Sequence, residues 1–311
     1  MSESARHISG IVVRVHGRTC YVDAGGREIE SSIRGRLKRG RRESRSPVAV
    51  GDQVTLLLED DERGSIEQVA ARRSELLRHS PHNERITHVI AANVDQMFAV
   101  VSADKLAERL LALDKLLAAG VMQSLKPCIV VNKCDLASRE AIDTLMAPYE
   151  AMALARYVTS ARTGEGLAEL RRALAARVSV FVGPSGVGKS SLLNALEPGL
   201  ALRVGEVDRH GEGRHTTTHV SLLKVGEGRV VDTPGLRDFG LTNFNLEELS
   251  LFYPDFAAFR EQCKFALCTH RHEPKCAVRA AAESGQIDAG RYERYLAILR
   301  EAWNTSQRRE Y

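Results

Sequence analysis

Residues 183–190 read GPSGVGKS, a full match to the phosphate-binding pattern G-x-x-x-x-G-K-[ST]. The pattern dictates local structure as well as chemistry. Its glycines let successive backbone N–H groups turn inward around a phosphate, and a helix opening directly behind it aims a positive N-terminus at the same anion. The flanks meet both requirements. The apolar run 178–182 predicts a buried strand, and the residues after Lys189 (SSLLNAL) predict a helix. Gly183, Pro184, Ser185, Gly186, Val187 and Gly188 would then form the cradle. Lys189 would reach the β- and γ-phosphates, Ser190 would ligate Mg²⁺, and Ser191 would lie in the same first helical turn.

Strands and helices alternate from residue 93 onward. Apolar runs at 95–101, 128–131, 156–158 and 178–182 predict strands, while 106–119, 139–154 and 167–176 predict helices. The runs 220–225 and 229–232 predict a hairpin. This alternation implies a mostly parallel sheet with helices on both faces.

Further motifs fall at the strand ends. Residues 132–135 read NKCD, and a carboxylate at Asp135 can accept from guanine N1–H and the 2-amino group together. Adenine lacks both donors in that arrangement, and a buried acceptor left unpaired discriminates strongly. Lys133 would lay its stem along the base, and Asn132 would tie the segment to neighbouring loops. In the triplet 159–161 (TSA), Ser160 and Ala161 would offer backbone N–H groups to guanine O6. Asp232, opening DTPG, would orient a Mg²⁺-bound water, and Gly235 N–H would meet the γ-phosphate. The loop GRHTTT at 213–218 contributes His215 and, in Thr217, a second candidate Mg²⁺ ligand.

The order of these parts is unusual. Ras-like GTPases run phosphate loop, switch threonine, D-x-x-G, N-K-x-D, S-A; here N-K-x-D and S-A come first. Circular permutation is physically permissible because domain termini often lie close together and surface loops can be reopened. After DTPG the chain leaves directly for the C-terminal segment, so residues 235–240 are expected to transmit nucleotide state to it.

Before residue 70 the chain carries short β-rich runs at 11–15, 20–23, 28–33, 48–58 and 65–69, which fit an OB-type barrel. The whole chain has a formal charge of only +4, yet residues 34–45 hold seven cations and the single acid Glu43. Arg34, Arg36, Lys38, Arg39, Arg41, Arg42 and Arg45 would repel one another unless they lay beside phosphate, so an RNA-binding loop is expected. Residues 71–90 lack clear periodicity and read as a linker.

No apolar run approaches the roughly 18 residues that a membrane helix needs, and the polar start lacks a signal-peptide core, so a cytoplasmic protein is expected. In a reducing compartment a tight Cys/His group points to metal rather than disulfides. Cys263-x4-Cys268-x-His270-x5-Cys276 can close a tetrahedral Cys₃His site around one structural zinc, with His272 as an alternative imidazole. Residues 291–302 predict a terminal amphipathic helix.

In this permuted order NKCD, TSA, GPSGVGKSSLLN, GRHTTTH, DTPGLRDFG and CKFALCTHRHEPKCAV resemble the RsgA/YjeQ family of small-ribosomal-subunit-dependent GTPases. The resemblance covers nearly the whole chain. It implies a multidomain α/β architecture: an OB-fold RNA-binding domain over 1–75, a linker over 76–90, a circularly permuted GTPase domain over 91–240 and a helical zinc-binding domain over 241–311. It implies binding to the small ribosomal subunit and its rRNA. It also implies hydrolysis of GTP to GDP and phosphate, stimulated by that subunit, as a late maturation checkpoint.

Many GTPases orient the attacking water with a glutamine just after D-x-x-G; here Leu236 stands there and can neither donate nor accept. His215 is the candidate replacement. Two other readings are an RNA-binding scaffold that keeps GTP as a structural ligand, and an ATPase, which Asp135 disfavours. No long apolar heptad calls for an obligate partner, so a monomer is expected. Asp135→Asn should move base preference from guanine toward xanthine nucleotides in competition binding; unchanged selectivity would remove Asp135 from the base pocket.

Overall fold

The computed structural model describes residues 6–34, 47–80, 83–202, 220–232, 240–241 and 244–307. In chain order the first seven strands are β1 (His7–His16), β2 (Thr19–Ala24), β3 (Arg27–Ile33), β4 (Gln53–Leu58), β5 (Arg63–Val69), β6 (Glu75–Ser80) and β7 (Asn83–Ala92). Alternation follows: β8 (Gln96–Ser102), α1 (Leu106–Met122), β9 (Pro127–Asn132), α2 (Arg139–Met146), β10 (Arg156–Val158), α3 (Leu167–Leu174), β11 (Val178–Val182) and α4 (Lys189–Leu196). Then come β12 (Ser221–Val225), β13 (Gly228–Asp232), α5 (Ala257–Arg260), α6 (Ala277–Glu283) and α7 (Ala289–Gln307). Among the described residues no helix is long and apolar enough to cross a membrane. The chain divides into two compact units, one of residues 1–97, 168–181 and 190–238, the other of 98–167, 182–189 and 239–311.

In the first unit β1 to β5 close into a barrel. β1–β2 and β2–β3 are antiparallel, β3 lies parallel to β5, β5 is antiparallel to β4, and β4 returns to β1 from His7↔Leu57 to Ile11↔Gln53. β1 pairs with β2, with β4 through Ile11 and with β12 at Arg14↔Ser221, and a register shift between Val12 and Arg14 bends it between its β4-paired and β12-paired parts. Period-two alternation turns Val12, Cys20, Val22, Ile29, Leu56 and Ile66 inward, all fully buried. Each such side chain contributes about 1.5–3 kcal/mol.

Of residues 76–90, expected as a linker, 76–80 lie in β6 and 83–90 in β7, paired as a ribbon from Glu75↔Ala92 outward. The ribbon is anchored at its base, where Leu76, Ala91 and Ala92 are buried and Ala92 N–H donates to the Val50 carbonyl. A two-stranded ribbon pairs through its backbone and needs no continuous apolar face, so periodicity does not reveal it. Beneath it, buried Asp52 accepts from Arg72 Nε at 2.7 Å, from Arg72 Nη2 at 2.8 Å and from Ala49 N–H at 2.8 Å. Gly51, with φ +88°, passes so close to Ala92 that a Cβ would lie 2.2 Å from its carbonyl oxygen. In the same unit β13 lies between parallel β11 and antiparallel β12.

The second unit contains the strand order β10-β9-β8. Every position of β9 is buried, the pattern of a strand covered on both faces. The predicted helix 139–154 ends early: α2 stops at Met146, and Ala147–Met152 tightens into a 3₁₀ turn because Pro148 lacks the N–H a longer helix needs. The C-terminal part packs Leu249, Tyr253, Phe256, Val278, Tyr295 and Ile298 into one core, with the Tyr253, Phe256 and Tyr295 rings 5.0–5.1 Å apart.

Asp52→Ala would leave the Arg72 guanidinium, whose side chain is only 4% exposed, with Glu75 as its one remaining described anion at 2.9 Å, so it should destabilise the chain by about 3 kcal/mol in denaturant unfolding. A loss below 1 kcal/mol would contradict that role.

Candidate functional site

β11 runs into the loop 183–189, which opens α4. Gly186 and Gly188 take φ +80° and +93°, and a Cβ on Gly188 would lie 2.4 Å from Asn132 Nδ2, so glycine is required there. Val187 is buried, whereas Ser185 and Gly186 are exposed at the loop tip; Gly183, Pro184, Ser190 and Ser191 are half-buried. Lys189 Nζ donates to the Gly183 and Pro184 carbonyls at 2.7 and 3.0 Å, curled over its own loop. The first turn of α4 carries no acid, which keeps its N-terminus attractive to anions.

The end of β9 meets that loop through one side chain. Asn132, 1% exposed, donates from Nδ2 to the Val187 carbonyl at 2.8 Å. Its Oδ1 accepts from Ala161 N–H at 3.3 Å and from Thr159 Oγ1 at 3.4 Å. One carboxamide thus holds three segments that are separated in sequence: 132–135, 159–162 and 183–189. Lys133 follows with φ +60°, turning the chain sharply so that Asp135 comes up beside the serine loop.

Asp135 Oδ1 accepts from Ser160 Oγ at 2.5 Å, and its Oδ2 pairs with Arg162 at 2.5 Å. The Ser160 hydroxyl, helped by Arg162, holds the carboxyl below its usual range. An ionised carboxylate has about four acceptor directions, so one on each oxygen remains for a guanine-like pair of donors. Arg162 was not among the residues singled out from sequence; its position directly after the TSA triplet was the available signal.

Asp232 ends β13 half-buried, and burial raises its carboxyl pKa. A nearby dication would offset that desolvation, and the hydroxyl and carboxylate donors suit a hard ion such as Mg²⁺. His215, Thr217 and Gly235 lie outside the described residues. Of the basic arm, Arg34 is exposed and pairs with Glu67, while Arg36, Lys38, Arg39, Arg41, Arg42 and Arg45 lie outside the described residues.

A second constellation gathers Cys263, Cys268, His270 and Cys276, whose ligand atoms all lie within 4.8 Å of one another. Cys263 Sγ is 3.5 Å from His270 Nδ1 and 3.9 Å from Cys276 Sγ, and His270 Nδ1 is 3.4 Å from Cys276 Sγ. Tetrahedral zinc with its usual bond lengths spaces ligands by roughly 3.5–3.8 Å, so the donor set fits that ion. Burial pushes the Cys268 thiol up to about 12 and raises Cys276 as well, a penalty that a central dication would reverse. His270, at φ +59°, points inward from a tight turn, whereas His272 is exposed. Tyr292 and Tyr295 of α7 fix that turn by donating to the His270 and Thr269 carbonyls at 2.6 and 2.9 Å.

A family model described as RsgA GTPase matches residues 69–242. The chain is 34% identical over 310 residues to a small ribosomal subunit biogenesis GTPase RsgA of Bacteroides fragilis, covering 98% of this chain and 100% of that one. It is 37% identical to the protein of the same name from Shouchella clausii, covering 96% and 99%. The structure is similar to YjeQ from Thermotoga maritima, with TM-score 0.78, 33% identity and coverage of 95% and 98%. It is also similar to YloQ, a circularly permuted GTPase, with TM-score 0.76, 29% identity and 98% coverage of both chains.

Cys268→Ser should lower zinc content well below one ion per chain and the melting temperature by roughly 5–10 °C. Full zinc occupancy in that variant, by atomic absorption, would exclude Cys268 as a ligand.

Proposed function

The chain belongs to the RsgA family of GTPases, and on that footing we propose that it binds the small ribosomal subunit, hydrolyses GTP there and acts as a late-stage maturation checkpoint. The single observation that best supports this is the Asn132 carboxamide, which joins the guanine motif to the phosphate loop. In this reading residues 1–75 form the RNA-binding OB domain, 76–90 the connection, 91–240 the permuted GTPase domain and 241–311 the zinc-binding domain.

The guanine base would be read by Asn132, Lys133, Asp135, Ser160 and Ala161. The phosphates would be held by the backbone of 183–190, together with Ser191 and Lys189. Ser190 and Thr217 would ligate Mg²⁺, whose charge would offset the negative charge that develops on the phosphates. Asp232 and Gly235 N–H would close around the γ-phosphate. A water molecule then attacks the γ-phosphorus in line with the departing β-phosphate oxygen, giving GDP and inorganic phosphate. His215 would hold that water where Leu236 cannot, with Thr217 beside it. Arg34, Arg36, Lys38, Arg39, Arg41, Arg42 and Arg45 would grip rRNA phosphates, and one zinc ion on Cys263, Cys268, His270 and Cys276 would brace the C-terminal part. The protein would work as a monomer in the cytoplasm, with GTP, GDP and the subunit as partners. In the alternative, an RNA-binding scaffold, GTP would stay intact.

Turnover measured with and without purified small subunits separates the two, because a scaffold shows no release of phosphate in either. His215→Ala should depress subunit-stimulated turnover by about 10²-fold or more while GTP affinity stays within twofold. Unchanged stimulated turnover would assign water orientation elsewhere.

A further inference from the structure

A buried ionic cluster in the second unit has no part in the chemistry above. Asp114 of α1 and Arg291 of α7 are 177 positions apart, and their side chains are 0% and 2% exposed. Arg291 Nη1 donates to Asp114 Oδ1 at 2.8 Å, and its Nε and Nη2 donate to the two oxygens of Asp255 at 2.5 and 3.0 Å. Arg294 Nε donates to Asp114 Oδ2 at 2.7 Å. Tyr149 OH donates to Asp114 Oδ1 at 2.5 Å, and the Arg291 guanidinium lies 5.2 Å from the Tyr149 ring centre and 4.7 Å from that of Tyr253.

The placement of these partners is what gives the cluster a consequence. Asp114 precedes β9 and Tyr149 follows α2, so their hydrogen bond closes the segment that carries the whole guanine motif 132–135. The same turn of α7 that supplies Arg291 and Arg294 also supplies Tyr292 and Tyr295, which hold the His270 and Thr269 carbonyls. Helical residues three or four apart lie within about 6 Å along the axis, so one helical turn grips both flanks of the guanine motif and the Cys₃His turn. A closed cluster of two guanidinium and two carboxylate groups tolerates little displacement, because any partner that slips leaves a buried charge uncompensated.

We infer that Asp114, Tyr149, Asp255, Arg291 and Arg294 are positioning residues that lock the Cys₃His module to the guanine-binding loops as one rigid body, so that a particle holding this module sets the affinity of the base pocket. The inference rests on the proposed small-subunit partner. It adds a route of communication through α1 and α7 to the one expected through residues 235–240.

The test uses the full chain with its zinc and three graded variants: Tyr149→Phe and Arg294→Gln, which each remove one hydrogen-bonding group, and Asp114→Asn. Equilibrium affinity for a fluorescent GDP is measured with and without purified small ribosomal subunits. The unmodified chain should change affinity by at least about fivefold on subunit binding, and the variants should lose that factor. Their affinity in the free state should stay within twofold and their zinc at one ion per chain. A merely structural cluster would lower the melting temperature and leave the factor intact, which overturns the inference. If Asp114→Asn fails to fold, Tyr149→Phe and Arg294→Gln decide. Hydrogen exchange over 263–276 upon GDP addition gives an arm without subunits: a response lost in the variants supports the lock, and one retained overturns it. If the unmodified chain ignores subunits, the functional reading fails, and the exchange arm alone judges the lock.

Discussion

The buried carboxamide of Asn132 is the constraint on which the loops proposed to bind nucleotide depend. It fills its acceptor with Ala161 N–H and Thr159 Oγ1 and spends a donor on the Val187 carbonyl. Each of those bonds alone contributes only about 1 kcal/mol, but leaving such groups buried and unpaired costs about 1–3 kcal/mol apiece. Geometry follows from that asymmetry. Gly188 must be glycine because Asn132 Nδ2 occupies the space of its Cβ, and Lys133 must turn left-handed so that Asp135 reaches Ser160. The segments proposed for base recognition and for phosphate binding are therefore held together by a single side chain.

The segments proposed to handle phosphate and metal stand out in the sequence because their chemistry admits few residues. A backbone that wraps an anion needs glycines and a lysine at fixed spacing, and a tetrahedral site needs four soft or borderline ligands in a short stretch. The barrel was legible from its five short β-rich runs, and its closure through β1 and β4 adds only the pairing. The β6–β7 ribbon was not, since it pairs through its backbone and its anchor at the base, Leu76 with Ala91 and Ala92, is too short to show a period. Asp114 and Arg291 were hidden for another reason. On amphipathic helices each looks like an ordinary solvated charge, and only the folded chain shows them buried against each other.

Two kinds of buried charge serve different ends here. The thiols around His270 are crowded in a way that a dication would stabilise, and burial alone pushes Cys268 far from ionisation. The Asp114 cluster is already neutral by internal pairing, so it asks for no ligand and fixes geometry instead. Asp52 with Arg72 works in the same way beneath the ribbon. Such pairs add little net stability over apolar packing, yet they restrict which arrangements of the same helices and strands are tolerable.

Titration calorimetry of GDP and ADP into the unmodified chain and Asn132→Ala, with magnesium present, tests the linkage of base pocket and phosphate loop most directly. The account predicts that the unmodified chain binds GDP and not ADP, and that the variant loses about 10- to 100-fold in GDP affinity while remaining folded. GDP binding of equal strength in both proteins would show that the three loops do not depend on Asn132.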